Sequence, residues 1–412
     1  MEATTNSEKW LAAIAETGDP PAKATTIKER WLAAIAGVGE APDKAITTEE
    51  RLLKAIFENG GGGNTGGGSK VEGTIQITEN GTHDVTPYAS AEVNIVYSGE
   101  GVPVEEYDKV KDCLNRMISG GVKEISGNNT LIKKYAFASQ RSLISADFPM
   151  ATSVGTSAFD GCDSLQSVNL PLASYIESNA FNQCKALTSI SLPSWKTHVG
   201  KTHFYGCKSL TTADFPLLTK LSESMFEDCT NLQNINFPSV TELSSYAFES
   251  CTSLTTADFP LVTNAGYSYT FRYCTGLVSA NFQLLTTICQ NMFEGCTNLQ
   301  NINFPSVTEL KNGAFVRCQG LQNADFPLLT VIGSGSFQSC TNLTTLVLRS
   351  ETVCTLSSTT AFGGTPFVSG GTGGVVYVPQ NLKEQYEQAT NWSTLYAQGT
   401  CTFLPIEGSE YE

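Results

Sequence analysis

The sequence predicts an α+β protein that is mainly a β-solenoid of about ten 22–23 residue coils, with short N-terminal helices, a β-hairpin module and helical and strand caps. Three observations carry this reading. Phenylalanines recur at Phe137, Phe159, Phe181, Phe204, Phe226, Phe248, Phe271, Phe293, Phe315 and Phe337. Cysteines follow nine of them by three residues, from Cys162 to Cys340, and Gln140 takes that place in the first coil. Around both series runs one pattern, A-F-x-x-C-x-x-L-x-x-[AIV]-x-[FL]-P-x-[LV]-T-x-[LI], as in Ala247 to Pro260. Periods of roughly 20–50 residues mark stacked architectures. A single coil cannot bury its own apolar positions, so the Phe, Cys and Leu positions are expected to line up as internal ladders.

From the N-terminus, residues 1–59 hold a different repeat of 21 residues. Its copies place Trp10, Leu11 and Ile14, then Trp31, Leu32 and Ile35, then Leu52, Leu53 and Ile56 on three apolar stripes. Thr5 with Glu8, Thr26 with Glu29 and Thr47 with Glu50 have capping-box spacing, which satisfies the free amides of a helix start. Gly18-Asp19-Pro20-Pro21 and Gly39-Glu40-Ala41-Pro42 separate the copies. Helices this short are marginal alone in water, so their stripes need cover. A small three-helix bundle would supply it. So would docking of each copy onto one site of a repeating assembly, where tandem contacts gain through effective concentration.

Residues 60–69 form a Gly-rich linker with a root-mean-square span of about 17 Å. Residues 70–100 alternate apolar and polar around Asn80-Gly81, the signal of a hairpin. In 101–130, Pro103 opens a helix with Tyr107, Val110, Leu114 and Met117 on one stripe, a cap for the first coil. The solenoid occupies 131–350, and 351–412 close it with a strand at Val375–Val378, a helix after Pro379 and a strand at Cys401–Pro405.

The repeat resembles the BspA-like leucine-rich repeat family, whose hallmark is the A-F-x-x-C-x-x-L core followed by x-x-[IV]-x-[IL]-P. The resemblance covers about residues 130–350, with departures at His203, Met225, Thr270, Met292 and Ser336 for the alanine and at Gln283 and Arg349 for the proline. It implies a leucine-rich repeat β-solenoid that adheres to surfaces. The N-terminal T-x-x-E-[KR]-W-L-A-x-I copies resemble motifs of phage structural proteins, especially head fibres and virion appendages. Ile77 to Asn94 and the C-terminal segment are also similar to phage fibre and phage-encoded BspA-like sequences. These resemblances imply a virion protein, assembled in the host bacterial cytoplasm, that holds capsid or tail proteins through its N-terminus. Its solenoid would hold a host cell-surface protein or glycan. A bacterial cell-surface adhesin of the same family is the alternative, and self-association is left open.

Composition sets limits. With 25 basic and 40 acidic residues the net charge is -15, which disfavours nucleic acid and anionic lipid as partners. No stretch approaches the roughly 18 apolar residues of a membrane span, and Met1 to Gly18 lacks the apolar region of a secretory signal, so neither membrane insertion nor general export is expected. The cysteine series lacks paired spacings such as C-x-x-C, and the coil spacing suits disulfide geometry poorly. The series is therefore read as buried thiols acting as small apolar residues. No metal or cofactor is implied. Catalysis finds no motif: His83, His198 and His203 accompany no nucleophile or paired carboxylate, and Gly60 to Gly68 opens no phosphate-binding helix. The chain is expected not to be an enzyme.

Two places can bind. In L-x-x-[AIV]-x-[FL] the alternate positions face outward, giving a polar ladder that includes Thr211, Asp214, Asn236, Asp258, Asn303 and Asp325. It either meets a ligand at many equivalent points or bonds to itself, as stacked amides do. The two 23-residue coils place Trp195 and His198, and Tyr267, Tyr269, Arg272 and Tyr273, beside their additional residue. Irregularities in an array often mark a binding face, so these side chains form a candidate aromatic rim, with packing of the loops as the other reading.

Overall fold

The computed structural model describes residues 71–77, 91–97, 124–127, 129–368 and 370–412, with backbone pairing alone at 71–77, 91–97 and 197–198. The three anchor helices, the Gly-rich linker and the capping helix after Pro103 lie outside the described residues. The chain divides into two compact units, Met1–Leu187 and Thr188–Glu412.

In the first unit, β1 (Val71–Ile77), β2 (Ala91–Tyr97), β3 (Glu124–Gly127), Ser145–Asp147 and Ser167–Asn169 form one sheet in that order. β1 and β2 are parallel, in register from Val71↔Ala91 to Ile77↔Tyr97, where the alternation around Asn80-Gly81 predicts an antiparallel hairpin. Parallel pairing needs a long connection rather than a tight turn, and residues 78–90 provide it. β1 and β2 thus extend the sheet of the coils. Two-residue strands at Leu131–Ile132, Ser153–Val154 and Tyr175–Ile176 pair in a second parallel sheet.

In the second unit the coils repeat that plan, except that the coil of Tyr267 has isolated bridges, Asn264 with Glu242 and Ser268 with Gln290, in place of the two-residue strand. A three- or four-residue strand, such as Thr212–Asp214, pairs with those of neighbouring coils, and a two-residue strand, such as Glu309–Leu310, does the same on another side. The third side is the turn around the phenylalanine. Two residues before and two after Phe248, Tyr246 and Ser250 have φ of 60° and 61°. Each turn from Phe137 to Phe337 has this pair of left-handed residues, and in half of those turns neither is glycine. The conformation costs about 1–2 kcal/mol at a non-glycine residue. It points alternate amides the same way, so Tyr246, Phe248 and Ser250 N–H donate to Ser268, Thr270 and Arg272 carbonyls one coil on, at 3.3, 2.9 and 2.8 Å. These bonds offset the cost.

The core is a set of columns, as the periodicity predicts. In the first unit the rings of Phe137, Phe159 and Phe181 stack at 5.1 and 5.3 Å. In the second, the Phe204-to-Phe337 column has centroids 5.1–5.6 Å apart and planes 4–15° from parallel. All twelve described cysteines are free and buried, as expected for small apolar residues, yet each ladder thiol with a described bond also donates to a carbonyl. Cys251 Sγ reaches Phe226 O at 3.2 Å, and Cys296 Sγ reaches Phe271 O at 3.1 Å. Burial pushes these thiols well above their usual pKa.

Beyond Phe337 the chain adds one more rung. Phe362 comes 25 residues later and stacks on Phe337 at 5.6 Å, and Ala361 O and Gly363 O accept the amides of Phe337 and Ser339. The closing strands Gly374–Val378 and Cys401–Pro405 pair in parallel with each other and, through the first, with Thr345–Leu348. The helices α1 (Lys383–Gln388) and α2 (Trp392–Ala397) bury Tyr386, Trp392 and Leu395. Cys354 N donates to Tyr386 Oη at 2.9 Å, and Trp392 Nε1 donates to Cys354 O at 2.7 Å. No helix among the described residues is long and apolar enough to cross a membrane.

Candidate functional site

The outward strand positions are where the alternation puts them, and they are bonded to one another. Asn236 Nδ2 donates to Asp214 Oδ1 at 2.7 Å, and Ser191 Oγ reaches the other oxygen at 3.0 Å. Asn281 Nδ2 donates to Asp258 Oδ1 at 2.7 Å, and Asn303 Nδ2 to Asn281 Oδ1 at 2.9 Å. Thr211 Oγ1 donates to Thr188 O at 2.9 Å. Asp325 takes Nε and Nη2 of Arg349, at 3.0 and 2.8 Å. From Asp214 to Asp325 no two aspartates are adjacent in this column: Asn236 separates Asp214 from Asp258, and Asn281 and Asn303 separate Asp258 from Asp325. The face is thus a self-satisfied ladder, and its structural reading is the one the geometry favours. Arg349, noted in the sequence only as a departure from proline, turns out to close it.

Of the aromatic rim, Trp195 does not belong. It is fully buried, with its indole 5.0 Å from the Phe215 ring, 5.3 Å from His203 and 6.3 Å from Phe204. The cause is register: two residues after Pro193, Trp195 stands where Leu218 stands after Pro216, at an inward position. His203, in place of the usual alanine, is buried beside it with Nδ1 2.9 Å from Ser222 Oγ. His198 lies on the strand Thr197–His198.

The other long coil makes a surface. Tyr267 is 92 % exposed. It follows Gly266, whose φ of 76° and approach to Ser245 N leave no room for a Cβ. Tyr269 is half-buried and stacks on Tyr246, one coil back, at 5.2 Å and 18°. The Arg272 guanidinium lies 4.9 Å from the Tyr269 ring centre and 4.4 Å from that of Tyr273. It is held by Glu249 Oε1 and Glu294 Oε2, each at 3.1 Å, and donates to Tyr273 Oη at 2.9 Å. The coil therefore brings Tyr269, Arg272 and Tyr273 together, with Tyr267 exposed two residues before Tyr269. It adds Tyr246, Glu249 and Glu294, which hold the same register in the flanking coils. Burial raises the pKa of Glu249, the charge of Glu227 adds to this, and Arg272 opposes it. Among the described residues no three His, Cys, Asp or Glu side chains are placed to hold a metal.

The repeat model described as the BspA type leucine-rich repeat region matches residues 130–255, 197–322 and 266–369, which together exceed half of the chain. The chain belongs to the BspA-type leucine-rich repeat family. Its motif can now be read as physics: phenylalanine and cysteine are stacked rungs, leucine fills the interior, and the residues flanking phenylalanine carry the left-handed turns.

Among solved structures, a leucine-rich repeat protein from Bacteroides ovatus is similar at 20% identity over 75% of this chain and 88% of that one, with a TM-score of 0.42. A leucine-rich cell surface protein from Faecalibacterium prausnitzii is similar at 20% identity over 69% and 89%, TM-score 0.39. The pneumococcal vaccine antigen PcpA is similar at 14% identity over 81% and 88%, TM-score 0.35. No curated protein matches the chain.

Proposed function

We propose that the chain is a non-enzymatic adhesin whose BspA-type solenoid holds a host cell-surface protein or glycan through the tyrosine surface of the long coil. The observation that carries this is an aromatic cluster at one irregular coil, stacked and salt-bridged around Tyr269 and Arg272, with Tyr267 of the same coil 92 % exposed. Rigid tyrosines and arginines are typical anchors of interfaces because little side-chain freedom is lost on binding. The polar strand face supplies scaffold stiffness instead. Adhesion of the labelled full chain to a panel of bacterial cells tests the reading. Tyr267→Ala combined with Tyr269→Asn, which tolerates a φ of 60°, removes binding while the thermal transition stays in place; undiminished adhesion refutes the reading.

In its finer form the proposal is a phage virion appendage, a head fibre or tail-associated protein, localised to the virion and assembled in the host cytoplasm. The three N-terminal copies around Trp10, Trp31 and Leu52 support it, because tandem equivalent segments suit a lattice of equivalent capsid or tail subunits. Pull-down of purified capsid and tail proteins by the full chain, and its loss in a Trp10→Ala, Trp31→Ala, Leu52→Ala variant, is the expected result. Retention of neither, with display on a bacterial surface, favours the cell-surface adhesin of the same family.

A further inference from the structure

The second unit carries an apolar ridge at the corner where the chain turns after each three- or four-residue strand. There Val262 N–H closes the turn on Phe259 O at 3.2 Å, and Leu261 between them is exposed. Along the stack this corner position reads Leu217, Ser239, Leu261, Leu284, Ser306, Leu328 and Ser350. The row is held in line by the strand pairings three residues earlier, Asp214↔Asn236, Asp258↔Asn281, Asn281↔Asn303 and Asp325↔Val347. Two residues after it, Thr263 N–H donates to Thr241 O at 3.0 Å and Thr330 N–H to Thr308 O at 2.9 Å. The four leucines are 42–51 % exposed, and apolar surface gathered in one place marks a contact surface. Ser239 Oγ donates to Pro216 O at 2.8 Å and Ser306 Oγ to Gln283 O at 2.7 Å, each one coil back. These serines are drawn onto the stack, so the row is one of leucine knobs and serine notches.

The order of knobs and notches fits a second copy of the same row. A two-fold axis perpendicular to the stack reverses the order of the coils and sets each row against itself, the isologous contact common in homo-oligomers. With that axis through Leu284, Leu261 faces Ser306, Leu328 faces Ser239 and Leu217 faces Ser350, so knobs meet notches and only Leu284 meets its like. The flanking rows follow suit. Three residues before the ridge, Asp258 faces Asn303 and Asp325 faces Asn236, each carboxylate against an amide donor, with Asn281 on the axis. Three residues after it, Glu309 faces Asn264 and Glu242 faces Val331. Gln283, which stands in place of the ridge proline, lies beside the axis, where an amide can donate to and accept from its own copy. Other axes set like charges together, which is unfavourable. One between Leu261 and Leu284 puts Asp214 against Asp325 and Glu242 against Glu309, and one through Leu261 puts Asp258 against its own copy.

We infer that the solenoid forms an antiparallel dimer through this ridge, with the two-fold axis at Leu284 and Gln283. The inference goes beyond the adhesion reading and does not depend on it; a dimer carries two copies of the tyrosine surface, which raises avidity. Six steps of about 4.8 Å from Leu217 to Ser350 give a contact about 29 Å long. That is small for a specific interface, so the dimer is reversible, with a dissociation constant on the order of micromolar.

Sedimentation equilibrium of the full chain, over concentrations spanning the micromolar range, is expected to show a mass rising from 44.1 kDa toward twice that value. Leu284→Glu sets two carboxylates on the axis and should weaken dimerisation at least roughly tenfold, with unchanged circular dichroism because the position is exposed. In a Cys113→Ala background, Leu284→Cys should give a disulfide-linked dimer on mild oxidation. Leu261→Cys should not, since its copy lies two steps, about 10 Å, along the stack, too far for a disulfide. A mass of 44.1 kDa at every concentration, a dimer indifferent to Leu284→Glu, no disulfide in Leu284→Cys, or equal cross-linking of Leu261→Cys overturns the inference. A dimer kept in Leu284→Glu but lost in the Trp10→Ala, Trp31→Ala, Leu52→Ala variant places association in the N-terminal copies and also overturns it. Cell adhesion lost in Leu284→Glu while the chain is monomeric throughout gives the ridge to a host partner, with the same result.

Discussion

The thiol of Cys274 donates to the carbonyl of Phe248, one coil back, at 3.0 Å, and that carbonyl already accepts the amide of Cys251 at 3.1 Å. Cysteine at this position thus fills the core and ties two coils together. Cys274→Ala removes the S–H···O contact, worth about 0.5–1 kcal/mol, and opens a small cavity in a close-packed core. A loss of about 1–2 kcal/mol is expected from the urea midpoint. Cys274→Ser keeps a donor and should fall between the two; equal stability of all three proteins contradicts this role.

Burial also governs the response to alkali. It raises the thiol of Cys289 to about 11 and those of Cys354 and Cys401 to about 12, from an ordinary 9.0. Because the folded-state values are the higher ones, the unfolded chain releases protons first as pH rises. The associated stability is intact below about pH 9 and is lost above it, with Cys289 alone contributing on the order of 2–3 kcal/mol by pH 11. Thermal transitions recorded from pH 7 to 11 should be level and then fall. In a Cys113→Ala background, iodoacetamide should leave the native protein unlabelled at pH 8.

The strand ladder sets a charge rule. Asn236 donates to Asp214 and separates it from the aspartate of the following coil, Asp258. Asn236→Asp would place three carboxylates in consecutive rungs and is expected to cost about 1 kcal/mol, less at 1 M salt than at low salt. A urea midpoint that does not move at either salt concentration would remove the rule.

Left-handed positions make a further test. Ser250 has a φ of 61°, and glycine occupies the same place in the turns of Phe159, Phe204 and Phe293. Ser250→Gly should raise stability by about 0.5–1 kcal/mol through relief of the backbone conformation, net of the entropy glycine adds to the unfolded chain. Measured destabilisation would mean that the turn conformation is not strained.

The columns were legible because Phe248 and Cys251 recur with like neighbours, and stacking like on like needs no knowledge of distant contacts. The self-bonding of Asp214, Asn236 and Asp258 was legible as one of two readings, since alternation gives direction but not partners. Size and the additional residue make Trp195 read as a rim side chain, whereas its register with Leu218 is inward. The Asn80-Gly81 signal is local, whereas the pairing of β1 and β2 follows from a sheet edge the local sequence does not display. Phe362 escaped because it falls 25 residues after Phe337, outside the regular count. The Tyr246–Tyr269–Arg272 cluster requires knowing which residues 22 or 23 positions apart become neighbours, and that follows only once the coils are stacked.

Residues 229–243 recur identically at 296–310, three coils later. Deleting residues 230–296 therefore joins like to like and keeps the register, while removing Tyr246, Glu249, Tyr267, Tyr269, Arg272, Tyr273 and Glu294. Circular dichroism and cell adhesion of this shortened chain together test the account most directly. A folded, cooperatively melting solenoid that no longer adheres is the expected result; a chain that fails to fold, or one that folds and adheres as before, contradicts it.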